Sequence, residues 1–302
     1  MNSQYPLADK NLANISFATW ACVKGLLVVG LLGLTGCVTE GAAPASDSQT
    51  SDSSAVDQVE IPDLNGLWQA VGTAHWNLEG GHAAKGPATI VLGALGGIPA
   101  GHSYVVDGPI PYKAEAAARR AEYRVAWNEW DPVVKCFIPG IPRQTYMPLP
   151  FHIVQSENKL FVAYEWGSNS RVIHLDRPGT RAELPSWMGY SVGRWEGDTL
   201  VVEVTDQMPD TWLDATGTWH GEALKVTERY TVRGPNHIDY EATIEDPQVF
   251  TRPWTIKMPL YRRVEAGARL LEYKCIPMAE DAVYGHLRRG ADMTAPTVKN
   301  LF

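Results

Sequence analysis

The chain has 302 residues and a formal net charge of −8 at pH 7. An acidic chain without a basic patch is not expected to bind nucleic acid, because phosphate contacts need clustered Lys and Arg. Its four cysteines show neither CxxC nor clustered Cys/His spacing, so the sequence predicts no metal site and no redox motif. We expect no cofactor.

The N-terminal segment 1–36 has the features of a bacterial lipoprotein signal peptide. Lys10 and Lys24 precede an apolar run, 25–34, which is shorter than the about 20 residues that a membrane-spanning helix needs. The run ends in LTGC, residues 34–37, which resembles the lipobox, where cleavage precedes the cysteine and lipid is attached to it. An uncleaved anchor helix and an ordinary secretory peptide are the alternatives.

A lipid on Cys37 predicts attachment to a membrane surface without a spanning segment. Val38, rather than Asp, follows the cysteine, and by resemblance to lipoprotein sorting signals this indicates the outer membrane. We therefore expect acyl chains such as palmitate to hold the protein on the periplasmic side of the outer membrane of a Gram-negative bacterium. Residues 37–60 are rich in Ser, Asp and Ala and predict a flexible tether. A single folded domain is expected over 61–302.

Two cysteines remain in the mature domain, Cys136 and Cys275. In an oxidising periplasm, a lone distant pair predicts a disulfide. Such a closure typically contributes about 2 to 4 kcal/mol.

The first part of the domain is irregular. Residues 66–70 predict a first strand, and the Gly-, Ala- and Pro-rich stretch 86–111 predicts either a plain loop or a lid over a cavity mouth. The five prolines between residues 131 and 151 impose an extended backbone that forms few ladder hydrogen bonds. This segment is predicted to cross one end of a barrel, fixed there by Cys136.

One surface helix is predicted over 112–130, because strong helix formers lie between flanking prolines. Ala117, Ala121 and Val125 fall on one stripe of this helix. We expect that stripe to face the barrel.

From residue 151 onward the chain predicts a succession of β-hairpins, since runs of β-branched and aromatic residues alternate with turn residues. The paired runs are 151–156 with 159–167, 189–195 with 199–205, 223–232 with 237–245, and 254–264 with 269–275. The predicted fold class is mainly β, an antiparallel, lipocalin-like (calycin-like) β-barrel with one packed surface helix.

Four stretches resemble a family of exported, poorly characterised proteins of Gram-negative bacteria. They read DPVVKCFIPGIPR, SWMGYSVGRWEGDTLVVEV, TWLDATGTWHGEALKVTERY and YEATIEDPQVFTRPWTIKMPLYRR. The resemblance covers residues 64–275, and the usual pattern often has His where this chain has Tyr190. It implies an exported β-rich fold, and no particular reaction or cofactor.

Glu228 is one candidate catalytic residue. Its strand places Glu228 inward, on the same face as Val226 and Tyr230. Burial raises the pKa of a carboxyl group, as a general acid or base requires. A structural ion pair with an inward arginine, Arg171 or Arg252, is the alternative.

Asp214 and His220 bracket the short connector ATGT. If this connector folds back, Asp214 could orient His220 as a base. In the alternative, Asp214 caps a turn and His220 packs beside Trp219. The sequence lacks a G-x-S-x-G elbow, which argues against an α/β-hydrolase.

The aromatic content favours a binding function. A closed barrel with aromatic walls and a few polar groups can hold a small hydrophobic or aromatic ligand, and an arginine can clamp a carboxylate. Two alternatives remain: a cofactor-independent isomerase, lyase or hydratase that uses the same cavity, and a structural envelope protein with a filled barrel. The predicted ligand-binding residues are Tyr146, His152, Tyr164, Trp187, Tyr240, Arg252 and Trp254.

Overall fold

The computed structural model describes residues 61–80, 103–106 and 108–285. The predicted signal peptide 1–36, the lipidation site Cys37 and the tether 37–60 lie outside the described residues. Most of the predicted loop or lid, 86–111, lies outside them as well. Within the described ranges, no helix is long and apolar enough to cross a membrane.

A closed β-barrel forms, as predicted, and it has nine strands. The sheet order is β1-β3-β4-β5-β6-β7-β8-β9-β10, and β1 also pairs with β10, which closes the barrel. Strand β2 adds to β10 from outside. The strands are β1 Gly66–Ala70, β2 Val105–Val106, β3 Phe151–Gln155, β4 Lys159–Tyr164, β5 Asn169–His174, β6 Tyr190–Glu196, β7 Thr199–Thr205, β8 Lys225–Gly234, β9 His237–Glu245 and β10 Trp254–Arg262.

The barrel is mixed, so the prediction of a wholly antiparallel sheet is wrong at one junction. Strands β5 and β6 run parallel, with Ile173 opposite Ser191, while the other barrel pairs are antiparallel. Nine strands cannot alternate in direction around a closed ring, because alternation requires an even number. One parallel junction resolves the mismatch, and the connection 175–189 must return along the barrel to allow it.

The predicted surface helix forms, but it packs through a different face. It consists of α1 Ala114–Val125 and the short α2 Trp127–Trp130. Ala116 is buried, whereas Val125 of the predicted inward stripe is 86% exposed. The packed face carries Arg120, which bonds Glu79 at 2.7 Å, and Tyr123, which stacks on Trp212 at 5.0 Å. Large amphipathic side chains, not the alanines, set the orientation of the helix.

The predicted last strand, 269–275, does not form. Strand β10 is already paired with β9 and β1, so at those positions it has no free edge with which the segment 269–275 could pair. The segment instead leads to a disulfide between Cys136 and Cys275, which confirms the predicted pairing. It is followed by the short helix α3 Ala279–Tyr284.

The two ends of the barrel differ in the length of their connections. Tight turns at 156–158, 197–198 and 235–236 join strands at one end. The segments 127–150, 206–224 and 246–253 gather at the other end. We call these three segments, together with α1, the cap. They include 3₁₀ helices at Pro132–Lys135 and Arg143–Tyr146, and a further 3₁₀ turn, Trp166–Ser168, joins β4 to β5 at the same end.

Among the described residues, the barrel interior contains an apolar core and a charged pair. Glu228 is fully buried, as expected, and accepts a 2.7 Å hydrogen bond from Arg171. Its other carboxylate oxygen accepts hydrogen bonds of 2.8 Å from the hydroxyls of Tyr230 and Tyr240. Burial and the neighbouring Glu228 charge raise the pKa of both tyrosines well above the ordinary value, so they remain donors. The negative charge of Glu228 is therefore paired with the positive charge of Arg171, and both carboxylate oxygens accept hydrogen bonds.

Glu228→Gln should lower the free energy of unfolding by about 3 to 5 kcal/mol, because the charge of Arg171 would be buried without a counter-ion. Glu203→Gln is the matched control: Glu203 pairs with Arg194 and Lys225 on the barrel surface and should cost less than about 1 kcal/mol. Urea unfolding of both variants measures the difference. Equal losses would show that the interior pair does not stabilise the barrel in this way.

Candidate functional site

An aromatic cleft of about 740 Å³ lies in the cap. Its volume is within the range of small-molecule sites. Its lining comes from α1 and the cap segments and from Trp187 at the end of the 175–189 connection, and none of it comes from a barrel strand. The lining residues are Arg119, Tyr123, Trp130, Pro132, Lys135, Phe137, Trp187, Pro209, Asp210, Trp212, Trp219, His220, Gly221, Glu222 and Gln248.

Ring pairs form the walls of this aromatic cleft. Tyr123 stacks on Trp212 with ring centres 5.0 Å apart and lies 5.7 Å from Trp130. Phe137 and Trp187 stack at 5.0 Å with their planes only 13° apart. Trp130 is 54% exposed and Phe137 46%. Open ring faces of this kind can receive a planar or apolar ligand.

Helix α1 and the connector 206–224 meet through a glycine. Gly217 has a φ of +81°, and a Cβ there would lie 2.8 Å from the Cβ of Tyr123, so a larger side chain would separate the two segments. Trp219 donates its indole hydrogen bond to the Ala116 carbonyl at 3.3 Å. The guanidinium of Arg119 lies 4.7 Å from the centre of the Trp219 ring, in cation–π geometry.

Asp214 organises the connector. One carboxylate oxygen accepts hydrogen bonds from the backbone N–H groups of Thr216 at 2.9 Å and Thr218 at 3.3 Å. The other accepts from the backbone N–H of Leu78 at 2.9 Å. The chain doubles back here, with Leu213 N–H donating to the Thr218 carbonyl at 2.6 Å. Asp214 thus acts as a turn cap that also fixes the 71–80 segment.

His220 is buried at the edge of the cleft with both ring nitrogens occupied. Nδ1 donates to the Gly221 carbonyl at 2.9 Å, because a carbonyl only accepts, and Nε2 therefore accepts from the Thr211 hydroxyl at 2.5 Å. Burial lowers the pKa of His220, which keeps the ring neutral at pH 7. These two hydrogen bonds fix one tautomer of His220 and hold the residues that precede β8 in place.

The structure does not join the three candidate catalytic residues into one site. Asp214 accepts hydrogen bonds from the backbone N–H groups of Leu78, Thr216 and Thr218. His220 is hydrogen-bonded to Thr211 and Gly221, and Glu228 accepts a hydrogen bond from Arg171 inside the barrel. Of the three, only His220 lines the aromatic cleft. Within the described parts of the chain, no group of three or more His, Cys, Asp or Glu is placed to hold a metal ion.

The predicted ligand-binding residues occupy three different environments. Trp187 lines the aromatic cleft. Four are buried in the core: Tyr146, Tyr164, Tyr240 and Trp254. His152 lies half-buried on β3, and Arg252 is exposed beside the start of β10. Tyr146 donates to the Leu213 carbonyl at 2.7 Å and so joins two segments of the cap.

Sequence reasoning missed most of the aromatic cleft. The sequence predicts Tyr123 and Trp130 only as parts of a surface helix, and Phe137 only as part of an extended segment. Two aromatic residues a turn or two apart near a helix end were the available signal, since their rings reach the same side. What the sequence does not show is that the connector carrying Trp212 lies against that helix.

Charged side chains surround the aromatic cleft. Arg119 and Lys135 supply two cations, and Asp210 and Glu222 supply two anions. None of the four forms an ion pair with another described residue. Their charges are available to a ligand that has polar groups beyond its ring.

A second cleft, of about 440 Å³, lies on the other side of the 127–135 segment. At its floor Arg143 and Asp131 form a buried two-pronged ion pair, with both distances 2.8 Å. His75 lines this cleft, and its Nδ1 has no hydrogen-bond partner among the described residues. Burial and then the charge of Arg143 lower the pKa of His75 to about 4.

The pKa of His75 predicts a loss of stability in mild acid. Below about pH 6.5 the unfolded chain binds a proton on His75, whereas the folded chain does so only near pH 4. The free energy of unfolding should therefore fall by about 2 kcal/mol from this residue between pH 7 and pH 5. Urea unfolding of the wild type and of His75→Phe, which keeps a ring but cannot titrate, measures it. A variant with the same pH dependence as the wild type would refute the assignment.

Comparisons with known proteins give no indication of function, so the function is inferred from the geometry of the cleft. No family model and no curated protein matches the chain. Several residues of the four stretches quoted from the sequence have clear structural roles: Gly197 and Asp198 form the turn between β6 and β7, and Asp246 accepts hydrogen bonds from Gly221 N–H at 2.5 Å and Gln248 N–H at 2.9 Å. These motif residues build the barrel and its cap.

Proposed function

We propose that this protein is a lipid-anchored periplasmic lipoprotein that binds a small hydrophobic or aromatic molecule in the aromatic cleft of its cap. The stacked pairs Tyr123–Trp212 and Phe137–Trp187 around a cleft of about 740 Å³ carry the proposal. Aromatic faces held in place by neighbouring rings lose little freedom when a ligand stacks on them.

The cap, rather than the barrel interior, is the proposed ligand site. Tyr230, Tyr240 and Arg171 fill the interior around Glu228 and are hydrogen-bonded to it. A ligand placed there would have to replace those hydrogen bonds, at a high cost in a dry interior. The aromatic cleft presents exposed rings that need no such exchange.

The charges around the cleft favour a ligand with a polar end. Arg119 is already fixed over Trp219 at 4.7 Å, so its guanidinium is oriented at the rim. A ring held between the aromatic walls could direct a carboxylate toward Arg119 or Lys135, or a hydrogen-bond donor toward Asp210.

A lipid anchor on Cys37 and a position at the outer membrane complete the proposal. They rest on the LTGC tetrapeptide, the short apolar run before it and Val38 after it. The disulfide Cys136–Cys275 is typical of an exported domain and supports the same compartment. The resemblance to exported proteins of Gram-negative bacteria is consistent with it.

Trp130→Ala should weaken the retention of ligand by about tenfold or more, since it removes an exposed ring from the cleft wall. Phe161→Ala is the matched control, because Phe161 is an exposed aromatic ring on β4 that lines neither cleft. Native mass spectrometry of mature protein purified from its own host should show an added mass that Trp130→Ala loses and Phe161→Ala keeps. Wild-type protein without any added mass, or equal loss in both variants, would contradict the proposed site.

Cys37→Ser should abolish acylation and release the protein from the outer-membrane fraction, because the only proposed attachment is the lipid on that sulfur. Metabolic labelling with an alkyne analogue of palmitate, followed by membrane fractionation, measures both effects. Cys22→Ser is the control, since Cys22 precedes the proposed cleavage site and should leave labelling intact. Labelling that persists in Cys37→Ser would exclude this anchor.

A further inference from the structure

The walls of the second cleft are apolar and aromatic. Trp76 and Trp127 meet edge to face with ring centres 5.3 Å apart, and Trp166 lies 5.4 Å from Tyr273. Met147 and Ile276 add aliphatic surface. A cleft of about 440 Å³ with such walls has the size and surface of a small-molecule site.

The charged groups of the second cleft are neutralised within the protein. Asp131 and Arg143 pair through two hydrogen bonds of 2.8 Å, while the buried Nε of Arg143 has no partner among the described residues. Asp131 also accepts from the Val133 N–H at 3.1 Å, and Arg143 donates to the His75 carbonyl at 3.3 Å. Neither group has charge left for an ionic ligand. The aromatic cleft differs, because the cations and anions at its rim form no ion pair with described residues.

The remaining cation at the second cleft points to solvent. The side chain of Lys274 is 82% exposed and lies 3.5 Å from Glu272. His75 stays neutral at pH 7, since its pKa is lowered to about 4. An ion that entered this cleft would lose its hydration without gaining a partner charge.

The outer wall of the second cleft is fixed at several points. The Cys136–Cys275 disulfide joins it to the 3₁₀ helix Pro132–Lys135. The Met278 N–H donates to the Val134 carbonyl at 2.8 Å, and the Ser168 hydroxyl donates to the Tyr273 carbonyl at 3.2 Å. The cleft is thus preformed, which lowers the entropy cost of binding.

We propose that the second cleft is a separate binding site for an uncharged apolar molecule, aromatic or aliphatic. The two clefts share the segment 127–135 as a partition, with Trp130 and Lys135 facing the aromatic cleft and Trp127 and Val133 facing the second one. The two sites therefore select different ligands: the aromatic cleft takes a ring with a polar end, and the second cleft takes a molecule without charge. This proposal stands whether or not the aromatic cleft binds its own ligand.

Equilibrium dialysis with three probes of one ring system tests the selectivity. Naphthalene is uncharged, 1-naphthoate is an anion and 1-naphthylmethylammonium is a cation. The site that is sensitive to substitutions in the second cleft should bind naphthalene at least about tenfold more tightly than either ion. Equal or tighter binding of an ion at that site would overturn the proposal.

Two exposed positions on the same chain segment assign the site. Ile276 lines the second cleft and is 62% exposed, whereas Leu271 is 57% exposed and does not line it. Ile276→Asp should weaken naphthalene binding by about tenfold, because it places a charge on the apolar wall, and Leu271→Asp should leave it unchanged. Both changes are at the surface, so both proteins are expected to fold.

Trp130→Ala separates this site from the aromatic cleft. Naphthalene binding that survives Trp130→Ala and is lost in Ile276→Asp supports the second cleft. Binding lost in Trp130→Ala and kept in Ile276→Asp would place naphthalene in the aromatic cleft and overturn the inference. Dialysis of Trp127→Ala gives an independent check, since removal of the Trp127 ring should also weaken naphthalene binding.

Discussion

Closure of β1 onto β10 is the constraint on which the rest of the molecule depends. In that pairing Trp68 lies opposite Arg262 of β10, and on the other side of β1 it lies opposite Phe151 of β3. The closed barrel therefore contains the nine strands from β1 and β3 round to β10. Because nine is an odd number, at least one pair of neighbouring strands in the closed barrel must run parallel. The connection 175–189 between those two strands must then travel back along the barrel. That return path delivers Trp187 to the cap, where it stacks on Phe137. Part of the aromatic cleft therefore follows from the strand count.

The two buried ion pairs have a common role. Glu228 with Arg171 inside the barrel, and Asp131 with Arg143 in the cap, are each joined by hydrogen bonds of 2.7 to 2.8 Å. A buried pair gives little net stability over an apolar core, but the loss of either partner is costly. Each pair accordingly restricts how its surroundings can pack. Both oxygens of the Glu228 carboxylate accept hydrogen bonds, so this buried carboxylate has a structural role in the barrel interior.

Sequence patterns predicted the parts of the fold that depend on local periodicity. The alternation around Glu228 placed it inside correctly because strand side chains have a fixed period of two. The prediction that the stripe ending at Val125 faces the barrel is wrong. A helix with few large apolar residues is oriented by the contacts of its long side chains, here those with Glu79 and Trp212. The prediction of a strand at 269–275 is wrong because the barrel closes through pairing of β1 with β10, which are far apart in the sequence. The aromatic cleft was missed for the same reason: Trp130, Phe137 and Trp212 are brought together only by the folded cap.

The division between barrel and cap has a consequence for specificity. Strand pairing and the interior network around Glu228 hold the barrel, and neither involves the residues that line the two clefts. Asp246 joins two cap segments through the Gly221 N–H, Asp214 joins the cap to Leu78, and the Cys136–Cys275 disulfide joins the cap to the segment after β10. Side chains such as Trp130, Lys135 and Ile276 can therefore change without disturbing either set of contacts. The walls of both clefts can therefore vary by surface substitution while the barrel is kept, because the contacts that hold the barrel are made by residues outside the clefts.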